Sequence, residues 1–286
     1  MLGECHAHMI MDGINYKKAV ALHEKGVCVA AVRTHLNECR DAGIRFVRDG
    51  GDAREVSKLA RELAPEYGID YRTPVFAIHR RGHYGGIVGH YFDDWQGYKE
   101  LVAQAKEEGA DFIKLMVSGI LDFAHAGTLS EDGLTREEIR YMIHTAHDAG
   151  MAVMAHCNGD RTCFWTLEAG VDSLEHGFFM EEETLHLLAE RQIPWMPTFA
   201  PVGNLLGCGR FPDEEVRKNL EMQMERVKKA ASLHACIGLG SDAGAYLVPH
   251  GKGTLDEYHY LKDAGVSDAG LFAAEDRIRK VFRRGL

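Results

Sequence analysis

The sequence predicts an α/β protein of the (β/α)8 TIM-barrel class. Two observations carry this. Eight short, largely apolar runs alternate with eight longer amphipathic runs. Parallel strands covered on both faces read as such near-continuous apolar runs. The phrases "AGI", "EGAD", "AGM", "AGV" and "RQIP" also recur just before the apolar runs, as the helix-to-strand turns of a repeated unit would. A chain of 286 residues suits a barrel of about 250 residues. A doubly wound open sheet is the alternative that the pattern leaves open.

The expected strands are 2–9, 44–51, 72–79, 111–118, 152–159, 171–177, 194–200 and 236–244. Between them the helical stretches are 15–41, 53–66, 96–109, 135–149, 161–169, 181–191, 213–234 and 254–264. Thr135 and Glu138 have capping-box spacing, and Gly150 stands where that helix should stop. A final helix, 267–284, ends in a basic run that suits a solvated helix C-terminus. No linker or repeat divides the chain, so residues 1–286 are expected to form one domain.

Composition narrows the function. The chain is 45% hydrophobic and 27% charged, with a net charge of −10. Without a basic run, nucleic acid and anionic membrane are poor partners. The partner expected is a small-molecule substrate, with a homo-oligomer left open. Seven scattered cysteines form no C-x-x-C, as in reduced thiols. No apolar run reaches the length of a membrane span and no signal peptide is visible, so a cytoplasmic location is expected.

Barrel chemistry gathers at the C-terminal ends of the strands. "CHAH" places His6 and His8 there, two residues apart and on one face of a strand. With 16 histidines, roughly one such pair arises by chance, so it carries weight only in company. The company is His156, His176, Asp242 and Lys114, the last set within the apolar run FIKLM. If Phe112, Lys114 and Met116 face inward, all six converge. Nitrogen and carboxylate ligands of this kind suit zinc, with manganese, cobalt and iron also open. A buried lysine tends to lose its proton. It either keeps its charge by pairing with a carboxylate such as Asp242 or, as a free amine, reacts with CO2 to give a carbamate.

Together "HAH", "GADFIKLMVSG", "MAHCNG", "AGVDSLEHGFFMEEETLHLLAER" and "IGLGSDAG" resemble the amidohydrolase superfamily, binuclear type, nearest its imidazolonepropionase-like and prolidase-like members. The resemblance runs from residue 2 to about 275. It implies two divalent metal ions, most simply zinc. His6, His8 and Asp242 would hold one and His156 and His176 the other, with carboxylated Lys114 bridging them. It further implies hydrolysis of an amide by metal-activated hydroxide, with Asp242 moving the proton. The implied substrates are dipeptides or N-acyl amino acids. The same resemblance leaves phosphotriesterase-like, lactonase-like and cyclic-amide hydrolysis open, and a non-catalytic metal-binding barrel is the alternative from another class. A deaminase would need a glutamate soon after His156, where Cys157, Asn158, Gly159 and Asp160 stand instead.

The chain departs from the family in lacking the flanking segments of an accessory β-sandwich. The barrel is therefore expected to stand alone or to be a cropped form. Glu4 also stands where many members carry Asp. His83, in the His- and Gly-rich stretch after the third strand, is the match for a substrate-side histidine. Arg161, Ser118 and His250 are the further substrate-binding candidates, and Asn158, His79 and His125 are weaker ones. Alternation turns Cys157 away from the metals.

Overall fold

The computed structural model describes residues 2–283. The first half runs β1 (Leu2–Ala7), α1 (Tyr16–Ala21), α2 (Val29–Asp41), β2 (Ile44–Asp49), α3 (Val56–Leu63), β3 (Asp70–Arg72), β4 (Ala77–Arg80), β5 (Gly89–Phe92) and α4 (Trp95–Glu107). It continues with β6 (Ile113–Met116), α5 (Arg136–Asp148), β7 (Val153–Cys157), α6 (Asp160–Glu168), β8 (Ser173–His176) and α7 (Glu182–Arg191). The last elements are β9 (Trp195–Met196), α8 (Ala200–Gly203), α9 (Asp213–Ser232), α10 (Lys252–Asp263) and α11 (Asp268–Val281). The last position of the expected final helix, 284, lies outside the described residues.

These strands pair in parallel throughout, in the orders β1-β2-β3 and β5-β4-β6-β7-β8-β9. The segment 236–243 joins the two ends. Trp195 N–H donates to the Cys236 carbonyl and Cys5 N–H to that of Leu239, while Asp242 N–H donates to the His6 carbonyl. The α/β barrel is thus completed on this side by two isolated parallel bridges, Trp195 with Ile237 and Ala7 with Ala243, where the sequence suggests a full eighth strand. Gly238 and Gly240 leave little side chain to pack there, and added Cβ atoms would crowd Met196 and His6.

Two other expectations are refined. The stretch 15–41 breaks into α1 and α2, because Gly26 has φ +116° and Cys28 N–H turns back onto the His23 ring. The third strand divides into β3 and β4. Its middle bonds sideways, with Thr73 tied to Asp111 in both directions and the Val75 carbonyl accepting from Asp52 N–H. Around α5 the capping box of Thr135 and Glu138 forms as expected, and Gly150 takes the left-handed conformation beyond the helix.

Inside the barrel, side chains stack in a sequence of contacts. Phe46, Phe112, Met154 and Met196 fill the lower interior, closed beneath by Ile278 of α11 and by Phe282 just beyond it. The Arg48 guanidinium lies 4.4 Å from the Phe282 ring centroid. Arg48 then pairs with Glu175 at 2.8 Å, both fully buried. Glu175 in turn meets His6, where the polar site begins.

Candidate metal centre and substrate cavity

The six candidate ligands come from five strands or strand-like segments. His6 and His8 come from β1 and the turn after it. Lys114 lies on β6, His156 on β7, His176 ends β8, and Asp242 ends segment 236–243. All six line one cavity of about 430 Å3. His6 Nε2, His8 Nε2 and an Asp242 oxygen approach closely, with Asp242 Oδ1 3.7 and 3.4 Å from the two imidazoles. Ligand atoms from these three residues all lie within 4.8 Å of one another. The His176 ring is 4.9 Å from that of His6 and 4.5 Å from that of His156, centroid to centroid.

The surroundings fix which nitrogen is free on His6 and His156. Glu175 Oε2 lies 2.7 Å from His6 Nδ1, so that nitrogen carries the proton and Nε2 keeps its lone pair. His156 Nε2 donates to the Gly119 carbonyl at 3.1 Å, which leaves Nδ1 free. Thr198 Oγ1 holds His176 Nδ1 at 2.7 Å. Burial pushes His8 and His156 down to about 3, and His6 and His176 well below the usual imidazole range. All four rings are therefore neutral, the form that ligates metals. His6 Nε2 and Lys114 Nζ are buried without a hydrogen-bond partner. Such atoms are costly unless something binds them. The donor set and its unpartnered atoms fit a divalent cation between His6, His8 and Asp242.

Local backbone features make the convergence work. Simple alternation would aim Glu175 inward and His176 outward. His176 instead has φ +68°, and Asp242 has φ +58°, conformations that non-glycine residues rarely adopt. The His176 carbonyl is pinned by Trp195 Nε1 at 2.9 Å and Gln223 Nε2 at 2.8 Å, which holds the kink. Gly50 is needed for contact of another kind, since a Cβ there would sit 2.3 Å from His8 Cε1. Glu4 accepts four hydrogen bonds, from His6 N, Ser241 N, Ser241 Oγ and Thr254 Oγ1. It ties β1 to the closing segment and α10, and its carboxylate is fully accounted for.

Lys114 and Asp242 carry the remaining charge. Burial is the main cause of the fall of Lys114 to about 8, opposed by Glu175. Burial likewise pushes Asp242 up to about 7, opposed by Lys114. A cation in the trio would favour the ionised carboxylate.

Four sequence candidates for substrate contact or catalysis lie elsewhere. Arg161 is exposed in the first turn of α6, its guanidinium 5.5 Å from the Trp165 ring, and does not line the cavity. His83 turns to Glu131, 3.6 Å away, while its neighbour Tyr84 faces the cavity with its ring 5.0 Å from that of His156. Ser118 is buried behind the wall, accepting from Asn158 N–H and donating to the Gly119 carbonyl. His250 is buried against His35, ring centroids 4.3 Å apart, and donates to the Met11 carbonyl. Asn158 does line the cavity, its amide bonded to the Gly119 carbonyl and Phe178 N–H. Cys157 lies behind β7 beside Cys163, away from the cavity.

Sequence reasoning missed Glu175 and Thr198, which hold the His6 and His176 rings, and Tyr84 and Arg210, which line the cavity. Glu175 had a signal, a charged residue inside a buried strand run. The other three come from loops, where no period points inward.

Comparison with known proteins agrees with this architecture. The amidohydrolase family profile matches residues 4–249, and the chain belongs to that family. An uncharacterised Mycobacterium bovis protein is 24% identical over 242 residues, which are 80% of this chain. The match spans 61% of that relative's length. Among solved structures, a Xaa-Pro dipeptidase with methionine in its active site superposes with a TM-score of 0.76 at 23% identity, covering 97% of this chain and 75% of the other. Ochratoxinase from A. niger superposes with a TM-score of 0.79 at 18% identity, covering 99% and 71%. At these identities the likeness is one of fold. Among the described residues no helix is long and apolar enough to cross a membrane.

Proposed function

We propose that this chain is a metal-dependent hydrolase that cleaves an amide bond of a small substrate, either a dipeptide or an N-acyl amino acid. The observation that carries the reading is the convergence of four neutral imidazoles, one lysine and one aspartate on a single cavity at the strand ends. His6, His8 and Asp242 would hold one divalent ion, zinc by donor type. His156 and His176 would hold a second. Burial lowers Lys114 to about 8, so its free-amine fraction would be able to add to CO2 with loss of a proton, and the resulting carbamate would supply anionic oxygens to the metal site. Bound divalent ions supply Lewis-acid polarisation of the scissile carbonyl and lower the pKa of water from ~15.7 toward ~7.

The protein's own groups do the rest. Glu175 and the Gly119 carbonyl hold the protons of His6 and His156 on the far side of each ring. Asp242, partly exposed at the cavity, is placed to accept the proton of the attacking water and return it to the leaving nitrogen. Burial keeps the Tyr84 hydroxyl protonated beside His156, so it can donate to a substrate oxygen. The named activities of the Xaa-Pro dipeptidase and the amidohydrolase family lean toward amide bonds.

The test is reconstitution with zinc or manganese in bicarbonate, followed by metal analysis and a screen of dipeptides and N-acyl amino acids. About two ions per chain and turnover of at least one amide are expected. A stoichiometry near zero, or turnover only of lactones or phosphotriesters, overturns the reading.

A further inference from the structure

Away from the ligands, the cavity is strongly one-sided in chemistry. Its outer wall is built by Leu121 and Phe123 after β6, Phe178 after β8, Leu205 and Phe211 between α8 and α9, and Tyr246 after the closing segment. These pack together as one cluster, with Phe123 and Phe211 5.3 Å apart between ring centroids. Among the lining residues the carboxylates reduce to Asp242, at the ligand end. The cations are Lys114, also at the ligand end, and Arg210 on the α8–α9 loop.

Arg210 is the unusual member. Its guanidinium lies 4.7 Å from the Tyr246 ring and 5.3 Å from the Phe211 ring, so two aromatic faces hold it against the apolar wall. Among the described residues no carboxylate forms an ion pair with it. An arginine fork with its donors free suits a substrate carboxylate, which it can grip through two parallel hydrogen bonds. A bulky apolar group would meanwhile lie against the wall, and a cationic side chain would find no anion there.

Resting on the hydrolase reading above, we infer that the substrate is an N-acyl or N-aminoacyl derivative of a large apolar or aromatic amino acid, with its free carboxylate held by Arg210. Hydrolysis then breaks the C–N bond, with hydroxyl going to the acyl carbon and a proton to the released amine. Arg210 sets affinity and selectivity without joining in bond making.

The experiment has a binding arm and a turnover arm, both on the metal-loaded protein. Calorimetry compares N-benzyl-L-phenylalanine with N-benzyl-L-phenylalaninol, which differ only at the carboxylate and offer no scissile amide. The acid should bind roughly tenfold or more tightly, as a hydrogen bond to a charged group implies. Arg210→Met should abolish that preference with melting temperature unchanged, since Arg210 is exposed, and Arg210→Lys should restore part of it. In turnover, N-benzoyl-L-phenylalanine should exceed N-benzoyl-L-lysine by at least tenfold in kcat/KM, and Arg210→Met should raise KM far more than it lowers kcat. Equal affinity for acid and alcohol, a preference that survives Arg210→Met, or equal turnover of the lysine compound overturns the inference. Arg210-dependent binding without cleavage of any amide would support the carboxylate site and overturn the hydrolase reading instead.

Discussion

The two ends of the cavity are built on opposite principles. The ligand end is polar, buried and held from outside. Its side chains rise from strand ends, and Glu175, Glu4, Thr198 and the Gly119 carbonyl constrain them in turn. The outer wall is apolar, drawn from loops, and held by its own ring contacts and a single guanidinium. The difference teaches where each property should reside. On the proposed reading, ion binding and bond cleavage would belong to the strand ends, and choice of substrate to the loops.

The sharpest break between the two ends should come at Asp242. Asp242→Asn keeps shape and a coordinating oxygen but cannot accept the water's proton. A fall in kcat of at least ~10²-fold is expected, with ion content nearly kept. Near-normal turnover at full occupancy would remove Asp242 from the proton path. His156→Ala should differ by lowering ion content and rate together.

Glu175→Gln reaches the same end from beneath. It weakens the grip on His6 and leaves Arg48 buried without its counter-charge. An affinity loss of about 10–100-fold for the divalent ion is expected, since partners behind a ligand typically matter that much. Destabilisation of about 3–5 kcal/mol should accompany it, the scale of a broken buried ion pair. Ion titration and chemical denaturation of the variant measure the two effects. An unchanged ion affinity would show that His6 does not need Glu175 to be aimed.

Phe211→Ala tests the wall. The half-buried ring contacts Phe123 and Arg210 but no candidate ligand. KM for an aromatic substrate should rise several-fold, with ion content and stability near those of the parent. Loss of bound ion in this variant would show that the two ends are not separable.

The smallest functional effect is expected at Glu257, on α10 behind the site, where the consequence lies in the pH dependence of stability. Burial raises its carboxyl from 4.5 to about 8. The folded state therefore holds a proton that the unfolded state releases above about 4.5. Stability contributed by that proton is full below the unfolded pKa and is lost as pH rises toward 8. Glu257→Gln can still accept from Ala200 N–H and should flatten this slope between about pH 5 and 8. Denaturation midpoints across that range check it, and parallel profiles for both proteins would exclude Glu257 as the source.

Much of this molecule is legible in its sequence because strands and helices have periods. The alternation in FIKLM set Phe112, Lys114 and Met116 on one inward face, and the structure places all three inside the barrel. His6, His156 and Asp242 were found because a barrel gathers its strand ends at one face. Periodicity fails where the backbone leaves its ordinary region. His176 shares the interior with Glu175 only through its positive φ, so alternation could not reveal both. In the loops there is no period at all, and for that reason the sequence did not show that His83 turns to Glu131 while Tyr84 lines the cavity.

By itself, then, the sequence determined the alternating α/β architecture, the family, and the residue types that converge at the strand ends. These follow from local hydrophobic pattern and from motif order, which need no knowledge of distant contacts. Only the tertiary structure decided that Arg161 faces solvent while Arg210 faces the cavity, that α11 and Phe282 close the lower barrel, and that Glu175 joins Arg48 to His6. Those relations join residues far apart in the chain, and loop conformation and burial, not local propensity, set which groups meet.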